Sequence, residues 1–119
     1  MDLSYNRLTG TVPATLGKLT ALKRLRLSFN ELTGMNPAAL GGLTALTSLD
    51  ISNNKLTGAV PAGLGKLTAL RVLNLHGNQL TSVPAAIGKL SALETLNLTG
   101  NQLTSVPKEL GRLTAMKAE

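Results

Sequence analysis

His76 is the only histidine, and it is the natural place to look for chemistry. Its surroundings offer little to work with. The 119 residues contain no cysteine and only six carboxylate side chains. A zinc-type site needs three or four ligands held together, and no carboxylate lies near His76 in the sequence. A solvated position on a sheet face is its ordinary reading. A nucleophile–histidine–acid relay needs three side chains in one geometry, and nothing marks one here. The stretch 58–66, GAVPAGLGK, has the glycines and lysine of a phosphate loop without their spacing. Leu67 also stands where a serine or threonine must follow the lysine. Asn97, Leu98 and Thr99 form a glycosylation sequon, a triplet short enough to arise by chance. These residues imply no catalytic site, no cofactor, no metal and no enzyme.

Residues with periodic spacing carry more. Lys18, Lys66, Lys89 and Arg112 each follow a glycine at one place in successive segments. A column of cations suits phosphate or anionic lipid. Cations are equally favoured at the C-terminal end of any short helix, and that plainer reading is preferred. The column lacks the interleaved aromatics of a nucleic-acid binder, so no nucleic-acid partner is expected. Recognition hot spots favour aromatic side chains and arginine. The chain has one tyrosine, one phenylalanine and no tryptophan. Tyr5 and Phe29 are therefore singled out, with Arg24, Arg26 and Asp50, as the candidate partner-binding patch. An acidic or mixed peptide would suit it.

Whether those five residues meet depends on the elements that carry them. Leu22, Leu46, Leu70 and Leu93 open near-identical strings at spacings of 24, 24 and 23 residues. Self-similarity at that period is the signature of a solenoid, in which one coil cannot bury its own apolar face and stacked coils can. The third copy, 46–69, reads L-x-x-L-x-L-x-x-N-x-L through Leu46, Leu49, Ile51, Asn54 and Leu56. It continues T-G-x-V-P-x-x-L-G-x-L through Thr57, Gly58, Val60, Pro61, Leu64, Gly65 and Leu67. The alternation at Leu49, Asp50 and Ile51 predicts a short strand with one buried face. The next copy repeats it in the same direction, so the sheet is parallel. Asn6, Asn30, Asn54, Asn78 and Asn101 form a column where each chain turns, with amides able to bond the backbone of two coils. Gly58 permits unusual dihedrals in the turn. Pro61 starts a short helical segment, and Gly65 ends it.

This pattern resembles the leucine-rich repeat over essentially the whole chain. The L-T-G-x-V-P tail is similar to the plant-type class of receptor-like proteins and receptor-kinase ectodomains. The shorter LTSVP forms, 80–84 and 103–107, resemble the 23-residue repeats of ras-group-related, GTPase-linked proteins. The resemblance implies an α/β fold: a right-handed solenoid with a parallel sheet on the concave side and short helical or irregular segments on the convex side. It implies one domain, 1–119, of about five coils. It also implies a protein- or peptide-binding scaffold that works through the concave face. Two alternatives stay open: a ligand-sensing ectodomain fragment of a receptor-like kinase, and a structural spacer in a multidomain signalling enzyme.

Columns then place the candidate residues. Arg24, Ser48, Val72 and Thr95 form one outward row; Asp2, Arg26, Asp50, Asn74 and Asn97 form the next. Neighbouring strands lie about 4.8 Å apart, so Asp2, Arg26 and Asp50 are expected to make a charge ladder. A third outward row is Ser4, Ser28, Ser52, His76 and Thr99. Beside it run Tyr5, Phe29, Asn53, Gly77 and Gly100. In the second copy Asn36 stands where valine recurs, and Met35 is expected to turn inward, because an unpaired buried amide is costly.

Composition bounds the rest. Aromatics are 2%, so the core is built of leucine, and the net charge of +6 permits attraction to acidic partners without establishing it. No apolar run approaches the roughly 18 residues of a membrane span. MDLSYNRLTG is not a signal peptide. The lack of cysteine weakens a secreted setting and leans towards the cytoplasm. The chain starts inside a strand and ends, at Met116 to Glu119, on the start of a sixth. It reads as a fragment of a longer array, and self-association through uncapped ends is expected.

Overall fold

The computed structural model describes residues 1–110, and the period of the sequence is the period of the fold. In chain order the strands are β1 (Thr9–Thr11), β2 (Arg24–Arg26), β3 (Glu31–Gly34), β4 (Ser48–Asp50), β5 (Thr57–Ala59), β6 (Val72–Asn74), β7 (Gln79–Ser82) and β8 (Thr95–Asn97). One four-residue α-helix, α1 (Pro37–Leu40), lies after β3. Strands β2, β4, β6 and β8 pair side by side into one parallel sheet. Their register is that of the repeat, Leu25 beside Leu49 beside Leu73 beside Leu96. These central leucines are at most 3% exposed, while the residues on either side face outward. The first coil joins the sheet through a bridge between Asp2 and Arg26, where the Leu3 amide donates to the Arg26 carbonyl at 2.8 Å.

The asparagine column does the joining at the turn. Asn54 Nδ2 donates to the Ile51 and Ser52 carbonyls of its own coil and to the Leu27 carbonyl of the coil before. Its Oδ1 accepts the Leu32 amide of that earlier coil at 3.1 Å. Asn78 repeats this with Ile51, Leu75 and the Leu56 amide. Asn30 and Asn101 follow the same plan. Each would otherwise leave buried donors and acceptors unpaired, at about 1–3 kcal/mol apiece. Asn6 departs from the expected column: it is exposed, and among the described residues its side-chain Nδ2 donates within its own coil alone, to the Leu3 and Ser4 carbonyls.

The LTG segment is more than the turn read from the sequence. It forms a second set of parallel pairs, β1 with β3 and β5 with β7. Each pair carries an irregularity immediately after Gly10 or Gly58, both at φ of 74°. That backbone region is open to glycine without a steric penalty.

Pro13, Pro61 and Pro84, all extended, precede 3₁₀ segments Ala14–Lys18, Ala62–Lys66 and Ala85–Lys89. Gly65 lies inside its segment rather than ending it. Its role is close approach: a Cβ there would lie 2.9 Å from the Ala86 carbonyl oxygen. In the second coil Met35 turns inward, 9% exposed, as expected. The Asn36 carbonyl accepts the Ala39 and Leu40 amides and so starts α1. The core is one continuous ladder of leucines from Val12 to Leu110. Arg112 and the stretch 116–119, named above, lie outside the described residues.

Candidate functional site

The outer row of the inner sheet brings charge together as the spacing implied. Arg26 Nη1 lies 3.7 Å from Asp2 Oδ2, and its Nε lies 4.0 Å from Asp50 Oδ2. Both carboxylates are also anchored locally. Asp2 Oδ1 accepts the Ser4 amide, and Asp50 Oδ1 accepts the Ser52 amide and hydroxyl. The Ser4 amide, the Ser4 hydroxyl and then Arg26 hold the Asp2 carboxyl below its ordinary range. Exposed ion pairs of this length contribute little to stability. Their effect is to fix where one cation and two anions stand. Arg24, on the same strand as Arg26, makes no ion pair among the described residues.

The serine row differs from its expected outward placement. Ser28 and Ser52 are 1% and 5% exposed. Ser28 Oγ lies 2.9 Å from Ser4 Oγ. Further along, His76 Nδ1 lies 2.6 Å from Thr99 Oγ1, which also donates to Asn97 Oδ1. His76 is half-buried and engaged with its own row. Among the described residues no group of three His, Cys, Asp or Glu is placed to hold a metal ion.

The adjoining corner is where the chain leaves the sheet, and its backbone is left-handed in every coil. Tyr5, Phe29 and Asn53 have φ of 61°, 57° and 55°; Gly77 and Gly100 have 73° and 71°. Left-handed geometry disfavours a side chain by roughly 1–2 kcal/mol, and a bulky aromatic there is unusual. Neighbouring coils hold it in place, since the Tyr5 and Phe29 amides donate to the Ser28 and Ser52 carbonyls at 3.1 Å. The two rings stack with centroids 4.7 Å apart and planes within 5°. Even so, Tyr5 is 71% and Phe29 47% exposed. Strained backbone that presents exposed aromatics is a recognised mark of functional surface. No sequence signal marks the strain, because a left-handed aromatic has no spacing pattern.

The lysine column lies on the opposite side. Lys18, Lys66 and Lys89 each close a 3₁₀ segment and are exposed. The column is interrupted: Gly42 takes the place of a lysine, and a Cβ there would lie 2.5 Å from the Gly17 carbonyl oxygen. Among the described residues no helix is long and apolar enough to cross a membrane.

A leucine-rich repeat family model matches residues 1–56 and again 46–103, and the chain belongs to that family. Solved structures agree in fold and in sequence. A leucine-rich repeat protein of Leptospira interrogans is 36% identical with a TM-score of 0.87; the match covers 98% of this chain and 29% of that one. A chain of the BIR3–SERK2 complex from Arabidopsis thaliana is 35% identical with a TM-score of 0.86, covering 94% of this chain and 61% of that one. The ectodomain of the Arabidopsis receptor kinase GASSHO1/SCHENGEN3, solved with CASPARIAN STRIP INTEGRITY FACTOR 2, is 38% identical with a TM-score of 0.82, covering 92% of this chain and 13% of that one. The chain thus spans less than two thirds of each of these structures. No curated protein matches it in sequence.

Proposed function

We propose that the chain is a non-catalytic scaffold that binds a protein or peptide on its inner sheet face. The patch is formed by Tyr5, Arg24, Arg26, Phe29 and Asp50. One observation carries this placement: the two aromatics of the chain stack, exposed, on left-handed backbone beside the Asp2–Arg26–Asp50 ladder. Aromatic and arginine side chains combine large contact area with directed hydrogen bonds. Relatives lend support, since they include a complex between two proteins and a receptor ectodomain solved with a second molecule. They also include a bacterial protein, which favours the scaffold reading common to all of them over the receptor reading alone.

The first coil adds a second contact surface. A cavity of about 390 Å³ there is lined chiefly by Leu3, Leu8, Val12, Leu16, Leu27 and Leu32. Apolar lining of this kind supports self-association, which light scattering across a concentration series would reveal.

The test of the patch begins with capture of a partner on the immobilised chain. Arg26→Glu and Phe29→Ala should then weaken binding at least tenfold, while Lys66→Glu and Lys89→Glu change it less than twofold. Circular dichroism on each variant separates lost binding from lost folding. Sensitivity of the lysine variants alone, with the inner face silent, would replace this reading with an anionic surface bound by the lysine column.

A further inference from the structure

The edge where the chain enters the inner sheet holds a polar hollow of about 390 Å³, lined by Arg24, Thr47, Ser48, Arg71, Val72 and Glu94. Its cause is a difference in side-chain length between coils. The second coil supplies Arg24 and the fourth Arg71, whereas the third, between them, supplies only Thr47 and Ser48. Two arginines about two strand spacings apart, roughly 10 Å, therefore flank a gap.

The polar groups around that gap are mostly donors. The backbone is already committed: the Thr47 and Ser48 amides donate to the Lys23 carbonyl, and the Arg71 and Val72 amides donate to the Thr47 carbonyl. The Thr47 hydroxyl donates to the Lys23 carbonyl as well. Arg71 gives Nη2 to both oxygens of Glu94, at 3.3 and 2.9 Å. A guanidinium has five N–H donors, so Nε and Nη1 remain for a ligand while Glu94 holds the group in place. Among the described residues Arg24 has no ion pair, and the hydroxyl of the half-buried Ser48 has no partner. Arg26 differs from both, because it already stands between Asp2 and Asp50.

We infer that this hollow binds an oxyanion carried on a side chain of the bound peptide, a carboxylate or a phosphate monoester. Arg24 and Arg71 clamp it, Ser48 donates from the floor, and Glu94 tempers the affinity. The inference rests on the scaffold reading above and adds what the peptide must carry. Guanidinium groups recognise both oxyanions through paired, charge-assisted hydrogen bonds. Glu94 competes for Arg71 and adds a repulsive charge, so its removal should strengthen binding.

The experiment titrates the full chain with inorganic phosphate and, in parallel, with acetate, following the Ser48 amide and the arginine Nε–H signals by NMR. Saturable shifts at Ser48, Arg24 and Arg71 are expected. Arg24→Gln should weaken them at least fivefold and Glu94→Gln strengthen them at least threefold, with Lys66→Gln unchanged. A preference for phosphate over acetate identifies a phosphorylated side chain as the ligand; the reverse identifies Asp or Glu. Shifts indifferent to Arg24→Gln, or weakened by Glu94→Gln, would overturn the subsite. Saturable phosphate binding alongside partner capture insensitive to Phe29→Ala keeps the subsite and removes the aromatic patch. Binding of neither phosphate nor acetate alongside sensitive capture does the opposite.

Discussion

The first two coils and the fourth and fifth take the same left-handed backbone at the corner of the sheet, yet they fill it in opposite ways. Coils one and two force Tyr5 and Phe29 into left-handed backbone and leave both rings exposed. Coils four and five place Gly77 and Gly100 there, where the geometry is easy. Asn53, between them, is the type of residue that tolerates the region best after glycine. The charges divide similarly. Asp2, Arg26 and Asp50 stand in one row of the first three coils, which Asn74 and Asn97 continue without charge. What varies along the solenoid is thus surface, while the leucines and the asparagine column repeat. The early coils carry the exposed aromatics and the charge ladder, and the late ones carry glycine and uncharged asparagine at the same places.

The largest expected effect comes from exchanging the two solutions. Gly77→Phe puts a Cβ 2.6 Å from Asn53 Oδ1 and a bulky side chain on left-handed backbone. Together these should lower stability by about 2–4 kcal/mol, read as a fall in urea midpoint. The reverse change, Phe29→Gly, relieves the strain but loses a stacked pair, so it should stay within about 1 kcal/mol of the parent. Equal losses from the two changes would break the comparison.

A second measurement sharpens it by showing where the halves are alike. Asn30→Ala, in the second coil, and Asn78→Ala, in the fourth, each strip the same set of backbone partners. Each should lose about 1–3 kcal/mol, with midpoints close to one another. A large gap between them would mean that the halves differ in frame as well as in surface.

The frame was legible in the sequence because its causes are periodic. Leu49 and Asn54 recur at fixed spacing, and burial, register and the coil-to-coil hydrogen bonds all follow from that recurrence. The inward turn of Met35 was legible too, since Asn36 breaks the period and an unpaired amide resists burial. What the sequence hid arises from contact between coils. Nothing in SLD or TGA tells that LTG strands pair, that Ser28 and Ser52 are covered, or that Gly65 and Gly42 are fixed by a neighbouring carbonyl. The hollow between Arg24 and Arg71 was equally hidden, because it comes from what the coil between them lacks.

The smallest expected effect is one of pH. The Asp2 carboxyl is held below its ordinary value near 3.8, first by the Ser4 amide, then by the Ser4 hydroxyl and Arg26. A depressed folded value means that the contribution of Asp2 is complete above the unfolded value and fades as pH falls through the folded one. Side-chain NMR should therefore show Asp2 titrating below a model aspartate, and Arg26→Gln should move it back upward by less than the whole shift. A return to the ordinary value in that variant would make the ladder, rather than Ser4, the main cause.

The asparagine column also has a direction. Each amide from Asn30 to Asn101 reaches back to the coil before it and none reaches forward. A coil is therefore finished only by its successor: the Leu32 amide waits for Asn54, and the Leu56 amide for Asn78. On a ribosome, where the N-terminal part emerges first, the newest coil always leaves the tunnel with its turn incomplete. Each following repeat seals the one already made, so growth of the solenoid runs one repeat behind emergence from the tunnel.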